Sequence, residues 1–89
     1  MTNAITVRYW AAAKAAAGTD SDRLEVEGPI TMSEVVRRVV GLHPGTRLPD
    51  VLATCAALIG DRPAGTTDPD RIEVQPGSSV EFLPPFAGG

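Results

Sequence analysis

The sequence has very few of the residues that build disulfides and metal clusters. Among 89 residues there is one cysteine, Cys55, and one histidine, His43. A single cysteine excludes an internal disulfide and a cysteine metal cluster. Cys55 lies in an apolar run with no basic neighbour to lower its pKa, so we interpret it as a small buried hydrophobic residue. His43 has no acidic or nucleophilic neighbour in the sequence, and we expect a surface or helix-cap residue there.

Long apolar runs and positive charge are scarce as well. No segment approaches the roughly 20 apolar residues that span a bilayer, and Met1-Thr2-Asn3 lacks the basic start of a signal peptide. Eight Lys and Arg against eleven Asp and Glu give a net charge of −3, whereas nucleic-acid binding normally requires a basic patch. We therefore expect a soluble cytoplasmic protein whose partners include neither a membrane nor a nucleic acid.

What is present fits one small globular domain. The chain is 43% hydrophobic and 21% charged, and 89 residues make a single domain. A chain of this size buries only about 60% of the surface that it exposes when unfolded, so its core is small. We place the domain at residues 1–83 and interpret residues 84–89 as an extended, flexible tail.

The first part of the chain predicts two strands with a short helix between them. Alternation of apolar residues predicts an antiparallel pair of strands whose inward residues are Ile5, Val7, Tyr9, Leu24 and Val26. Between the strands, the alanine-rich segment 11–17 predicts a helix that Gly18 is placed to end. Lys14 in this helix is interpreted as solvated, with contact to a partner as the alternative.

A longer helix follows a capping box, in which Thr31 is the N-cap and Glu34 lies three residues further on. Its apolar residues recur at helical spacing and form one stripe suited to packing on a sheet: Met32, Val35, Val36, Val39 and Val40. Arg37 and Arg38 lie off the stripe, and we interpret them as a solvated face.

The second half of the chain predicts shorter elements. In order, they are a helical turn after Pro49, an interior strand at 55–59, a loop at 62–70, a small strand at 72–74 and a last strand at 80–83 that returns beside the first. Pro76 and Gly77 are placed for a type II turn before the last strand. Together the elements predict an α+β fold, with a mixed sheet of four to five strands and one main helix packed across it.

The last seven residues, Leu83-Pro84-Pro85-Phe86-Ala87-Gly88-Gly89, suit a different task from the rest of the chain. Proline has no N–H for a strand ladder, so sheet pairing is expected to stop at Pro84, and the two prolines hold the following residues extended. The two glycines have no side chains, so other groups can approach the terminal carbonyl closely. This pattern favours insertion of a carboxylate into a narrow active site. A carboxylate is a poor electrophile and therefore requires activation.

This C-terminal sequence resembles that of the MoaD family, the small subunits of molybdopterin synthase, which belong with ThiS and ubiquitin to the β-grasp superfamily. The resemblance implies a ubiquitin-like β-grasp fold and a sulfur carrier. It implies that a ubiquitin-activating-type, MoeB-like enzyme uses ATP to adenylate Gly89, and that sulfur then replaces AMP to give a thiocarboxylate. It implies neither a permanently bound cofactor nor a metal.

The same resemblance implies a partner and a client for the sulfur. The tail would enter a MoaE-like large subunit and give its sulfur to cyclic pyranopterin monophosphate in molybdenum cofactor biosynthesis. Gly89 would carry the sulfur, and Gly88 and Ala87 would form the narrow segment of chain that leads to it. The candidate apolar contacts with the partner are Phe82, Leu83, Pro84, Pro85 and Phe86, with Leu83 and Phe86 the most important. The chain lacks an acid–base pair, a metal cluster and a phosphate loop, so we expect a non-catalytic subunit rather than an independent enzyme.

Three other functions stay open. The carrier chemistry could serve thiamine thiazole or cysteine synthesis, as in ThiS, although the second proline, Pro85, favours the MoaD type. The activated glycine could instead be attacked by a lysine amine, which would make the chain a ubiquitin-like protein modifier. A binding module whose tail is never activated is the remaining alternative.

Overall fold

The computed structural model describes residues 3–85. Its elements, in chain order, are β1 (Ala4–Tyr9), α1 (Ala11–Ala17), β2 (Ser21–Glu25), β3 (Ile30–Thr31), α2 (Met32–Leu42), α3 (Leu48–Leu52), β4 (Ala56–Ile59), β5 (Arg62–Pro63), a 3₁₀ turn (Pro69–Arg71), β6 (Glu73–Val74) and β7 (Ser79–Leu83). Within these residues, five strands form one sheet in the order β2-β1-β7-β4-β5, and β3 pairs with β6 in a second, small sheet. The predicted α+β fold with a mixed sheet is confirmed.

The last strand is held on both sides. β7 pairs in parallel with β1, where Val7 lies opposite Val80, and antiparallel with β4, where Ala57 lies opposite Phe82. β1 in turn pairs antiparallel with β2. The predicted return of the last strand beside the first is therefore confirmed, and it places β7 at the centre of the sheet.

One face of the sheet packs against α2, and the core lies between them. All of the predicted inward residues of the first two strands are buried, and so are Val35 and Val39 of the helix. The core continues through Leu48 of α3 and through Val74 of the small sheet, both with no exposed surface. The apolar stripe read from the sequence is thus the packed face of α2, because the 3.6-residue period brings those side chains together.

The start of α2 forms half of the predicted capping box. The Thr31 hydroxyl accepts a hydrogen bond from the backbone N–H of Glu34 at 3.1 Å. The Glu34 carboxylate accepts a hydrogen bond from the Arg38 side chain at 2.9 Å and another from Arg37. It therefore points along α2 towards the following turn of the helix. The hydrogen bond from Arg38 is the main reason why the pKa of Glu34 is lowered. Helix initiation therefore rests on Thr31, while Glu34 neutralises an arginine face.

The turn before β7 has the geometry that the sequence predicts. The backbone N–H of Ser78 donates to the carbonyl of Gln75 at 3.1 Å, and Gly77 has a φ of +88°. A type II turn requires a positive φ at its third residue, which glycine adopts without the steric cost of a Cβ. The type II turn predicted at Pro76 and Gly77 is confirmed.

Two stretches that the composition predicts to be irregular are partly strand. Residues 62–70 are predicted to be a loop, but Arg62–Pro63 pairs with β4 as an edge strand, and Pro69–Arg71 forms a 3₁₀ turn. Pro63 is tolerated because an edge strand needs no donor on its free side. Likewise, β2 begins at Ser21, inside a predicted polar turn, because its exposed face accepts polar residues.

Candidate functional site

The candidate site begins where β7 leaves the sheet. Leu83 is the last residue of β7 and pairs with Ala56, and Pro84 and Pro85 follow as exposed residues outside any helix or strand. The pairing stops where proline removes the backbone donor, as the sequence predicts. The predicted tail residues Phe86, Ala87, Gly88 and Gly89 lie outside the described residues, so their assigned roles stay predictions.

Phe82 and Leu83 lie on opposite faces of the sheet. Phe82 is 3% exposed and its ring stacks on Tyr9, with the ring centroids 6.3 Å apart and the planes 11° from parallel. Leu83 is half-buried on the other face, which α2 does not cover. Of the five candidate contact residues, Phe82 therefore belongs to the core, whereas Leu83, Pro84 and Pro85 offer surface. Phe82 contributes to this site indirectly, because its packing in the core holds β7 in place.

Leu83 is part of an apolar surface that the sequence analysis missed. Its partner Ala56, and Leu58 two residues further along β4, lie on the same uncovered face of the sheet. We call Ala56, Leu58 and Leu83 the outer patch. The signal was present in the sequence: β4 is apolar at every position, which is typical of a strand covered on both faces, yet one main helix can cover only one face.

The outer patch has a polar border along β7 and β1. Glu81 of β7 lies opposite Leu58 of β4 on one side and opposite Arg8 of β1 on the other. The Trp10 indole donates a hydrogen bond to the Glu81 carboxylate at 3.0 Å, and the Trp10 side chain is 45% exposed. Protein–protein interfaces are enriched in aromatic residues and have a polar rim, so this face is a candidate contact surface.

Lys14 lies in a solvated ion pair. Its ammonium group is 2.8 Å from a carboxylate oxygen of Asp20, and both side chains are more than half exposed. The hydrogen bond from Lys14 is the main reason why the pKa of Asp20 is lowered. This geometry agrees with the interpretation of Lys14 as a solvated residue, and contact with a partner stays a prediction.

The described residues supply neither a metal site nor an activated cysteine. Among residues 3–85, no three His, Cys, Asp or Glu side chains come close enough to hold a metal ion. Cys55 is partly buried and packs against the core, and burial raises the pKa of its thiol, which disfavours a nucleophilic thiolate. Over the same part of the chain, no helix is long and apolar enough to cross a membrane.

The strand order, with β1 and β7 parallel at the centre and α2 across one face, defines a ubiquitin-like β-grasp fold. No protein-family model and no curated protein matches the sequence. The particular solved structures that share the fold include small archaeal modifier protein 1 from Methanosarcina acetivorans, with a TM-score of 0.74 and 18% identity over 100% of this chain and 99% of that one.

Two further structures agree over nearly the whole chain. Urm1 from Trypanosoma brucei has a TM-score of 0.74 and 21% identity, over 99% of this chain and 97% of its own. A Pyrococcus furiosus protein, provisionally assigned as molybdopterin converting factor, subunit 1, has a TM-score of 0.73 and 19% identity, over 94% of this chain and 99% of its own. At these identities the likeness establishes the fold.

Proposed function

We propose that this chain is a ubiquitin-like sulfur carrier whose reactive group is the carboxylate of Gly89. The observation that supports this most directly is the position of β7, which is the central strand and stops at Pro84-Pro85. A group carried on residues 86–89 is then attached to the most firmly held strand of the sheet. The fold is shared with proteins named as a modifier and as a molybdopterin converting factor subunit, which agrees with this proposal.

The proposed chemistry has two steps, both catalysed by a MoeB-like activating enzyme that binds ATP. In the first step, a carboxylate oxygen of Gly89 attacks the α-phosphorus of ATP, and pyrophosphate leaves. In the second step, a hydrosulfide ion attacks the acyl carbon, and AMP leaves with the electron pair of the broken C–O bond. The product is a C-terminal thiocarboxylate, so this chain is the carrier and contributes no catalytic group.

For the client, we favour molybdopterin synthase. The Pro84-Pro85-Phe86 sequence before Ala87-Gly88-Gly89 is of the MoaD type, so the proposed partner is a MoaE-like large subunit that passes sulfur to cyclic pyranopterin monophosphate. Leu83 joins the tail to the outer patch, which makes that patch the proposed docking surface for both the activating enzyme and the large subunit. Delivery to a thiazole or cysteine pathway keeps the same carrier chemistry.

A protein modifier is the second candidate function. The fold shared with small archaeal modifier protein 1 supports it, because an amine can attack the same acyl adenylate and form an amide bond. The two functions differ in their products. A modifier gives a ladder of higher-mass conjugates on a blot of native cell extract, whereas a carrier gives a single band with a chemically altered terminus.

Intact-protein mass spectrometry tests the proposed function. After incubation with ATP, sulfide and an activating enzyme, the chain should gain about 16 Da, because one oxygen of the Gly89 carboxylate is replaced by sulfur. Deletion of Gly89 should abolish the gain and leave the fold intact, since the residue follows the last strand in the sequence. Gly28→Ala serves as a matched control, because an added Cβ there meets no atom within 4 Å.

Two results would argue against the carrier proposal. One is an unchanged mass with an enzyme that is active on a known carrier. The other is a normal mass gain in the chain that lacks Gly89. The first result would favour a binding module, and the second would place the modification at another residue.

A further inference from the structure

An apolar cavity lies beside β4 and meets the outer patch at Ala56, which lines it. Its volume is about 710 Å³, and it lies between α2, the end of α3, β4 and residues 64–72. The side chains that line it include Met32, Val36, Leu52, Ala57, Ile72 and Phe82. Pro63, Gly65 and Pro69 at its rim are exposed, so the cavity is open to solvent. We call it the α2–β4 cavity.

The tail leaves the sheet beside this cavity. Leu83 pairs with Ala56, and Ala56 lines the cavity together with its two chain neighbours, Cys55 and Ala57. Paired residues of antiparallel strands have Cα atoms about 5 Å apart, so the prolines begin next to the cavity wall. The four residues after Pro85 can reach about 13 Å when extended, which is enough to turn back over the rim.

Of these four residues, only Phe86 has a side chain that can fill apolar space. The others are Ala87 and the two glycines. A phenylalanine ring in water gains free energy when it is buried, and the two prolines reduce the conformational entropy that docking must overcome. The lining contributes few polar side chains, among them Ser33 and Thr67, so the chemistry of the cavity suits an aromatic ring.

We propose that the Phe86 side chain of this same chain occupies the α2–β4 cavity when no partner holds the tail. Docking places Ala87-Gly88-Gly89 against the body of the protein, and a partner that takes the tail must withdraw Phe86. The resting carrier then keeps its terminus close to the fold, and the engaged carrier extends it. The docking itself does not rest on the proposed function, because it involves neither ATP nor sulfur.

Cys55 provides a direct test, because it is the only cysteine and lines the cavity. The full chain and its Phe86→Ala variant are treated with N-ethylmaleimide at one pH, and the rate of thiol modification is measured. The ring should protect the thiol, so the variant should react about two- to tenfold faster than wild type. The range is modest because the free energy gained by burying the ring is partly offset by the entropy lost in ordering the tail. Leu42→Ala, which removes an exposed apolar side chain elsewhere, should react at the wild-type rate.

NMR spectroscopy identifies the occupant. In the wild-type chain, nuclear Overhauser effects should join the Phe86 ring protons to the methyl groups of Met32, Ala57 or Ile72. Equal maleimide rates in wild type and Phe86→Ala would overturn the proposal. So would ring contacts with Leu58 or Leu83, which do not line the cavity. Contacts that appear only between differently labelled chains in a mixed sample would also overturn it, because a second copy would then be the occupant. None of these results depends on whether Gly89 accepts sulfur.

Discussion

The side chains of Tyr9, Asp22 and His43 form a hydrogen-bonded cluster that joins three distant segments. The Tyr9 hydroxyl donates to the Asp22 carboxylate at 2.7 Å, and the same carboxylate oxygen contacts Nε2 of His43. The His43 ring also lies edge-on to Tyr9, with ring centroids 6.1 Å apart. The cluster therefore fastens the end of α2 to β1 and β2.

This cluster could not be predicted from the sequence. His43 was expected to be a surface or helix-cap residue, and it is the C-cap residue of α2, but its side chain is only 15% exposed. Its carboxylate partner lies 21 positions earlier in the chain. Sequence spacing reveals partners only within one helix or strand, so a contact made by the packing of three elements has no local signature.

Alkaline pH should expose the contribution of Tyr9 to stability. Burial, followed by the hydrogen bond to Asp22, raises the pKa of Tyr9 far above its usual value of about 10. Because the pKa of Tyr9 is higher in the folded state than in the unfolded state, its contribution to stability is fully present below about pH 10, the unfolded-state pKa. Above that pH the unfolded state releases the proton first, so stability falls by about 1.4 kcal/mol per pH unit.

Tyr9→Phe tests this expectation. The variant should be about 1–2 kcal/mol less stable than wild type at pH 8, because it lacks the hydrogen bond to Asp22. By pH 11 that difference should shrink by about 1.4 kcal/mol, since the variant has no phenol to titrate. Urea unfolding at the two pH values measures the difference. An unchanged difference would show that Tyr9 titrates alike in the folded and unfolded states.

At the scale of elements, the sequence predicts the long strands and helices well but misses two of the three two-residue strands. The alternation in β1 and the stripe of α2 extend over several residues, so their periods are visible. β3 and β5 have two residues each, which is too short to show any period, whereas the equally short β6 lies within the small strand predicted at 72–74. They exist because neighbouring strands supply backbone partners, and this information lies in the packing rather than in the local sequence.

Two glycine substitutions should change stability in opposite directions. Gly41 lies within α2, and Gly77 has a φ of +88° in the type II turn; an added Cβ meets no atom within 4 Å at either position. Gly41→Ala should stabilise the protein by about 0.5–1 kcal/mol, because alanine loses less entropy in a helix. Gly77→Ala should destabilise it by about 1–2 kcal/mol, because the left-handed backbone is strained by a Cβ.

The shift of the urea unfolding midpoint measures both effects, with each variant compared with wild type under the same conditions. Because neither methyl group gains or loses a packing contact, the sign reports backbone conformation alone. A stabilising Gly77→Ala substitution would contradict the type II turn.

At the scale of the whole molecule, the fold is predictable, but only part of the functional surface is. The order of strands and the main helix sufficed for the α+β fold, and the last residues of β7 marked one end of the candidate site. The outer patch was missed because Leu58 looks like an interior residue until the sheet order shows that its face is uncovered. Which apolar residues reach the surface depends on how many layers cover the sheet.

If the proposed activating enzyme or large subunit binds this chain, the outer patch should control that binding. Leu58→Ser and Leu83→Ser remove apolar contact area from the patch, and each should weaken binding by about tenfold or more if the patch is the centre of the interface. Leu42→Ser is the matched control, because Leu42 is 52% exposed at the end of α2, away from this face. Isothermal titration calorimetry measures the affinities.

Circular dichroism must show that all three variants are folded for that comparison to hold. Equal affinities for the Leu58→Ser, Leu83→Ser and Leu42→Ser variants would place the interface elsewhere. Weak binding of the control alone would move it to the end of α2.

The central position of β7 also determines how the protein responds to mechanical force. A partner that pulls on the tail loads β7 along its own axis, between a parallel neighbour on one side and an antiparallel neighbour on the other. Such a pull shears two rows of backbone hydrogen bonds at once instead of peeling one row open bond by bond. Because both rows must break together, β7 should resist force applied along its axis, and a pull on the C-terminus should displace the whole domain before any strand detaches.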